Sequence, residues 1–371
     1  MTQTEFHWLK VLSEAFGPSG CEDEVRQVVL EAIQDKVDEV QVDALGNVIA
    51  VQKGTAALGE TAPGFKVMVA AHMDEVGLMI SLVGEDGLLH FEKVGGIDDR
   101  VLPAKVVQIR PRISKPDAAS DAPSGSDDKL PGVIIIKPVH LTTQSERGQV
   151  MSYDKLSIDI GASSKKEAEG LVDRGAYATF DVGFDDLGDV VKGKAFDDRA
   201  GCAVLIELIK RGPYPFDFYP VFTTMEEVGL RGARVAGYSV MPDAAFVLEG
   251  TICDDSPKKE DLSPTTELGK GPAISMMDRS VVADRRLLQL VIETAEQEGI
   301  PYQFKQPGKG GTDAGAIHLA KTGVPTLPVS VPSRYIHSPV SVLSKSDFEH
   351  TVNLMAASLK RMTPEVVGER E

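Results

Sequence analysis

Acids and histidines gather in this sequence where apolar runs end. His72-Met73-Asp74 follows Phe65–Ala71, a run that is apolar except for Lys66. Two residues apart on an extended chain, His72 and Asp74 point to the same side. A neutral imidazole is a good zinc ligand, and its second nitrogen needs an orienting carboxylate or carbonyl; Asp74 is placed to orient it. Phe196-Asp197-Asp198-Arg199 puts two adjacent carboxylates at the start of a helical pattern. Such a pair can cap the helix. A carboxylate there can also bridge two cations, one oxygen to each, and fix their separation. Glu226-Glu227 follows Tyr219–Thr224. Adjacent glutamates point in different directions, so one can hold a metal while the other faces the attacking water as general base. Glu249 stands at the end of Ala244–Leu248 and can serve one metal. His337 follows Thr326–Val331, within Ser333-Arg334-Tyr335-Ile336-His337-Ser338-Pro339.

Each cluster alone reads equally well as a solvated strand end or a helix cap. Together they make two histidines and three carboxylates, with one glutamate left over. That set suits two borderline cations sharing an aspartate, zinc first, with cobalt or manganese able to substitute. In open α/β sheets ligands bind beyond the carboxyl ends of strands, where all these clusters fall. Gly310-Gly311-Thr312-Asp313 is expected to shape a substrate pocket, a plain tight turn being the alternative.

The elements that must position them follow from periodicity. Helical spacing marks residues 5–16, 22–37, 200–210, 285–298 and 346–361. Val40–Asp43 and Asn47–Val51 flank a Leu45-Gly46 turn and predict a hairpin. Strands are expected at 65–71, 219–224, 244–248 and 326–331, the first and third of them buried. From about 77 to 190 the texture changes to short β-rich segments, at 77–83, 88–94, 104–110, 132–138, 156–160 and 176–182, with one helical stretch at 164–174. The fold class read from this order is α/β: a doubly wound mixed-sheet catalytic domain, residues 1–76 and 190–371, with a small β-rich domain inserted at 77–189. Residues 114–131, rich in Pro, Ser, Asp and Gly, read as a mobile loop.

A chain of 371 residues accommodates two such domains. The net charge of -17 argues against nucleic acid as a partner, which needs a basic face. Three widely spaced cysteines point away from a disulfide framework and towards a reducing cytoplasm. The N-terminus lacks the pattern of a signal peptide, and no apolar stretch is long enough to predict a membrane span.

Several segments resemble the tetrahedral, or glutamyl and deblocking, aminopeptidases, within the wider group of cocatalytic zinc exopeptidases. They are AAHMDEVGLMI, GGIDDR, KPVHL, DIGASSKKEAE, GKAFDDRAGC, TTMEEVGLRGA, GGTDAGAIH and RYIHSPV, in that order along nearly the whole chain. The resemblance implies that Asp197 bridges two metal ions per subunit. It implies that His72 and Glu249 complete one ion, Glu227 and His337 the other. Glu226 would be the general base and Asp74 would orient His72, with Asp198, Gly311, Thr312 and Asp313 supporting ligands or substrate. The Asp197–Asp198 peptide would be cis. Short peptides would be the substrates, and the inserted domain would pair subunits into dimers that build a tetrahedral dodecamer.

The function expected is release of N-terminal amino acids by two-metal activation of water, with Glu226 as base. A non-catalytic scaffold is a rival from another class, against which the intact ligand set argues, and two enzymatic rivals share the residues. A carboxypeptidase or amidohydrolase would need a cation for the substrate carboxylate, Arg334 or Arg279. A glycosidase could use Glu226 and Glu227 as its carboxylate pair, but would leave His72 and His337 unexplained.

Overall fold

Residues 5–55, 64–111, 129–255, 265–308 and 310–368 are described by a computed structural model of the chain. Its centre is β3 (Lys66–His72), whose odd-numbered side chains Val67, Val69 and Ala71 enter one core while Met68 and Ala70 enter another. A strand with apolar residues on both faces must be covered on both, which is why no polar alternation shows in its sequence. β13 (Ala244–Ile252) repeats the device: Ala244, Phe246 and Leu248 face the first core, Ala245 and Val247 the second. β12 (Asp217–Thr223), β3, β13 and β16 (Thr326–Arg334) run parallel side by side.

Antiparallel strands flank this parallel centre. On one side lie β1 (Glu39–Val42) and β2 (Val48–Val51), the expected hairpin. On the other lie β17 (Ser341–Ser344), β11 (Val190–Gly193) and β10 (Asp185–Asp186), with β14 (Ala273–Ser275) and β15 (Gln303–Lys305) branching from β16. The result is a large mixed sheet. The first core takes in residues of the helices Glu5–Glu14, Asp23–Ile33, Phe196–Arg211, Arg285–Glu298 and Lys345–Lys360. The second takes in residues of Arg231–Val240, a helix that periodicity did not single out, because its apolar face is mostly alanine and glycine.

The β-rich stretch closes on itself. β4 (Gly77–Val83), β5 (Leu89–Val94), β8 (Ile158–Asp159), β7 (Leu130–Ile134), β6 (Val106–Arg110) and β9 (Tyr177–Phe180) form a small closed barrel in that spatial order, filled by its own apolar cluster. Each of the six expected segments contributes one of these strands. Of the expected loop 114–131, residues 114–128 lie outside the described residues. Its last two residues are a correction: Leu130 and Pro131 open β7, pairing with Ile109 and Gln108. Cys21, Cys202 and Cys253 are free and buried. No helix among the described residues is long and apolar enough to cross a membrane.

Candidate active site

The parallel strands place the site at their carboxyl ends. His72 is the last residue of β3, opposite Thr223 at the end of β12, so the turn carrying Glu226 and Glu227 begins beside it. Glu249 lies inside β13 rather than at its end, since that strand continues to Ile252. His337 follows β16 at a positive φ of 56°. Asp197 and Asp198 have non-helical backbone angles at the head of Phe196–Arg211, and the peptide between them is cis. Gly250 is required next to them: a Cβ there would stand 2.6 Å from Asp197 Cα.

These elements gather two sets of side chains around one carboxylate. His72 Nε2 lies 3.2 Å from Asp197 Oδ1 and 3.6 Å from Glu249 Oε2. His337 Nε2 lies 3.4 Å from Asp197 Oδ2 and 3.4 Å from Glu227 Oε1. The trios His72–Asp197–Glu249 and Asp197–Glu227–His337 could each hold a metal ion, as could His72–Glu226–Glu227.

The imidazoles allow a direct test of fit. His72 Nδ1 is 3.1 Å from the Asp74 carbonyl, and His337 Nδ1 is 2.9 Å from the Gly96 carbonyl. A carbonyl accepts only, so each Nδ1 carries the proton and each Nε2 of a neutral ring turns a lone pair towards carboxylate oxygens. Two acceptors facing one another need a proton or a cation between them, and a divalent ion satisfies several at once.

The electrostatics agree. Burial opposes charging His72, yet Asp197 and Asp74 raise its pKa well above the ordinary value. His337, also against burial, is pushed up to about 10 by Asp197 and Glu227. Despite its own burial, Asp197 is held well below the carboxylate range by His337 and His72. Burial raises Glu226 and Glu249 far above that range, with neighbouring carboxylates adding to it, and puts Glu227 at about 7. So dense a set of buried acids is a site for positive charge.

The remaining expected residues stand behind this set. Asp74 accepts hydrogen bonds from the backbone N–H groups of Glu226 (2.9 Å) and Glu227 (3.1 Å), so one carboxylate holds both glutamates. Asp198 turns away from the opening and accepts from the N–H groups of His72 and Gly201. Asp313 donates its backbone N–H to Glu249 and accepts from the Thr223 hydroxyl. Thr312 is tied to Asp278 and Ser280. Gly311 and Thr312, with Glu226, Glu227, Glu249 and His337, line an open cleft of about 900 Å³.

Sequence reasoning missed three supporting residues. Ser19 donates to Asp74, and Glu22 accepts from the N–H of Met225, bracing the turn that carries Glu226. Glu75 is buried, accepting from Lys194 (2.6 Å), Arg199 (3.3 Å), the Gly17 N–H and the Thr179 hydroxyl. The only available signal was an acid following His72-Met73-Asp74; its partners are remote in sequence.

Comparison with known proteins fits this picture. The chain is similar to a protein of Acetivibrio thermocellus described as a putative aminopeptidase, 37% identical over 356 residues, covering 95% of this chain and 98% of the relative. Among solved structures it resembles the aminopeptidase APDkam598 of Desulfurococcus kamchatkensis, with a TM-score of 0.88 and 36% identity, covering 98% of this chain and 96% of that one. It also resembles the TET1 peptidase of Pyrococcus horikoshii, with a TM-score of 0.82 and 34% identity, covering 96% and 100%. That protein can assemble into a tetrahedron or a large octahedral shell. The class is therefore a hydrolase, an aminopeptidase of the metallopeptidase kind. A family model described as M42 glutamyl aminopeptidase matches residues 46–354, and the chain belongs to that family.

Proposed function

We propose that this aminopeptidase removes N-terminal residues from short peptides with two divalent ions, zinc first. One would be held by His72, Asp197 and Glu249, the other by Asp197, Glu227 and His337. The observation that carries this is the single carboxylate of Asp197 facing two histidine–glutamate pairs at the head of an open cleft. Bound there, divalent ions supply positive charge that polarises the scissile carbonyl and makes water a stronger acid.

The chain's own groups do the rest. Glu226 takes the proton of the attacking water and passes it to the departing amine. Asp74 fixes Glu226 and Glu227 through their backbone N–H groups, so base and ligand keep their separation. Asp74 also orients His72, whose Nδ1 lies 3.1 Å from its carbonyl and 3.4 Å from its Oδ1. The carboxylates lining the cleft favour a positively charged α-amino group, which confines cleavage to the first residue. The lining carries a cation, Lys305, but neither arginine that a carboxypeptidase reading would use. Arg334 is engaged in a two-pronged bond to Asp255, at 2.6 and 2.8 Å, and Arg279 is exposed; neither lines the cleft.

Residues 77–189 would form a separate inserted unit through which subunits pair, the dimers building a tetrahedral dodecamer. What supports this is the assembly of the Pyrococcus horikoshii relative. Exposed Ile136, Val139, Leu141 and Val150 on that stretch are apolar surface in want of a cover.

The test is a metal-reconstituted screen of glutamyl, leucyl and lysyl anilides beside their N-acetylated forms. Free-amine substrates should be cleaved and acetylated ones left intact. Equal cleavage of both would rule out the aminopeptidase assignment.

A further inference from the structure

The two trios differ in how they are built. His72, Asp197 and Glu249 come from the large sheet and the helix Phe196–Arg211, and the His72 ring is braced by Asp74 two residues on. The His337 ring is braced from the barrel. Its Nδ1 lies 2.9 Å from the carbonyl of Gly96, a residue just past β5 and 241 positions away. His337 is also the more open of the two, its side chain 39% exposed against 1% for His72.

The loop that supplies this carbonyl is built to come close. Gly95 has a φ of +86°, and a Cβ on it would stand 2.9 Å from Val76 Cγ1 and 3.3 Å from Glu227 Cβ. Any side chain would press on the glutamate that shares the trio. A bracket inside the barrel holds the loop in place. Lys93 donates to the Ile97 carbonyl at 2.9 Å and to Asp99 at 2.7 Å, and Asp99 accepts from the Tyr153 N–H at 3.1 Å. The Lys93 ammonium also lies 4.7 Å from the centre of the Tyr153 ring.

We infer that the Gly95-Gly96 loop of the barrel is the positioning element of the Asp197–Glu227–His337 site, so that the inserted barrel governs occupancy of that site and not of its neighbour. This rests on the two-metal reading above. A carbonyl behind a ligating imidazole fixes both its tautomer and its direction, and losing such a partner typically weakens metal binding by about 10- to 100-fold. Lys93 acts through the loop and touches no ligand. Its loss should therefore weaken the same site through greater freedom of Gly96.

The experiment strips the full-length wild type, Gly95→Ala, Lys93→Met and His337→Ala, then titrates each with zinc by calorimetry and counts bound metal after dialysis. Wild type should take up two ions. Gly95→Ala and Lys93→Met should keep one at wild-type affinity and bind the second at least about tenfold more weakly. Adding Lys93→Met to His337→Ala should cost nothing further. Lys93→Arg, which preserves the donor, should restore the second ion. Two ions bound at wild-type affinity by both loop variants would overturn the inference, and so would equal weakening of both sites in variants with wild-type circular dichroism. A wild type that takes up fewer than two ions would remove the two-metal reading itself and this inference with it.

Discussion

Glu226 and Glu227 are adjacent in sequence but have different surroundings. Glu227 lies 3.4 Å from His337 and belongs with Asp197, whereas Glu226 faces the cleft with its backbone fastened to Asp74. Replacing Glu226 by Gln keeps the shape and removes the proposed base. Its kcat should fall by about 10²- to 10⁴-fold while metal content stays at the wild-type level. Activity within a few-fold of wild type would assign the base elsewhere. Glu22 makes a different prediction. Burial, aided by the charge of Asp74, raises its pKa from 4.5 to about 7. The folded protein then holds a proton that the unfolded chain releases, so stability present below pH 4.5 is lost as pH rises through 7. Glu22→Gln should remove this slope. Its thermal midpoint should gain on the wild type from about pH 5 to about pH 8 and level off beyond. A gap that does not change with pH would contradict the assignment. His72, Glu226, Glu227, Glu249 and His337 were legible because each follows or ends an apolar run, and Asp197 because it opens a helix beside a second carboxylate. Glu22 and Ser19 were not, since their partners Met225 and Asp74 lie 203 and 55 positions away.

At the scale of elements, runs apolar on both faces announced β3 and β13, and short alternating segments announced the six barrel strands. The short strands β10, β14 and β15 are two or three residues long and carry no periodic signal. Nor does spacing reveal how barrel and sheet are joined. Glu75 does part of this, accepting from Thr179 on β9 and from Lys194 and Arg199 beneath the site. Burial lowers the Lys194 pKa to about 8 despite this partner, a sign of how deeply the pair is enclosed. Glu75→Gln leaves two buried cations with neutral oxygens only, and no carboxylate to balance them. It should cost about 3–5 kcal/mol of stability, measured by urea titration of the metal-loaded protein. A loss below about 1 kcal/mol would mean that Glu75 does not anchor the barrel to the sheet.

At the scale of the whole molecule, the acidic balance and the metal centre make separate claims. Removing metal with a chelator should abolish peptide cleavage and leave the barrel and sheet folded, because each has its own apolar core. Zinc should restore activity, and unfolding on chelation would show that the ions are structural instead. The assembled mass, read by light scattering, should match twelve chains, and a monomer would refute the dodecamer. The central claim is that Asp197 stands between two ions. Diffraction from zinc-soaked crystals on either side of the zinc absorption edge tests it most directly. Two anomalous peaks should flank Asp197, one beside His72 and Glu249, the other beside Glu227 and His337. A single peak, or two peaks elsewhere, would contradict it.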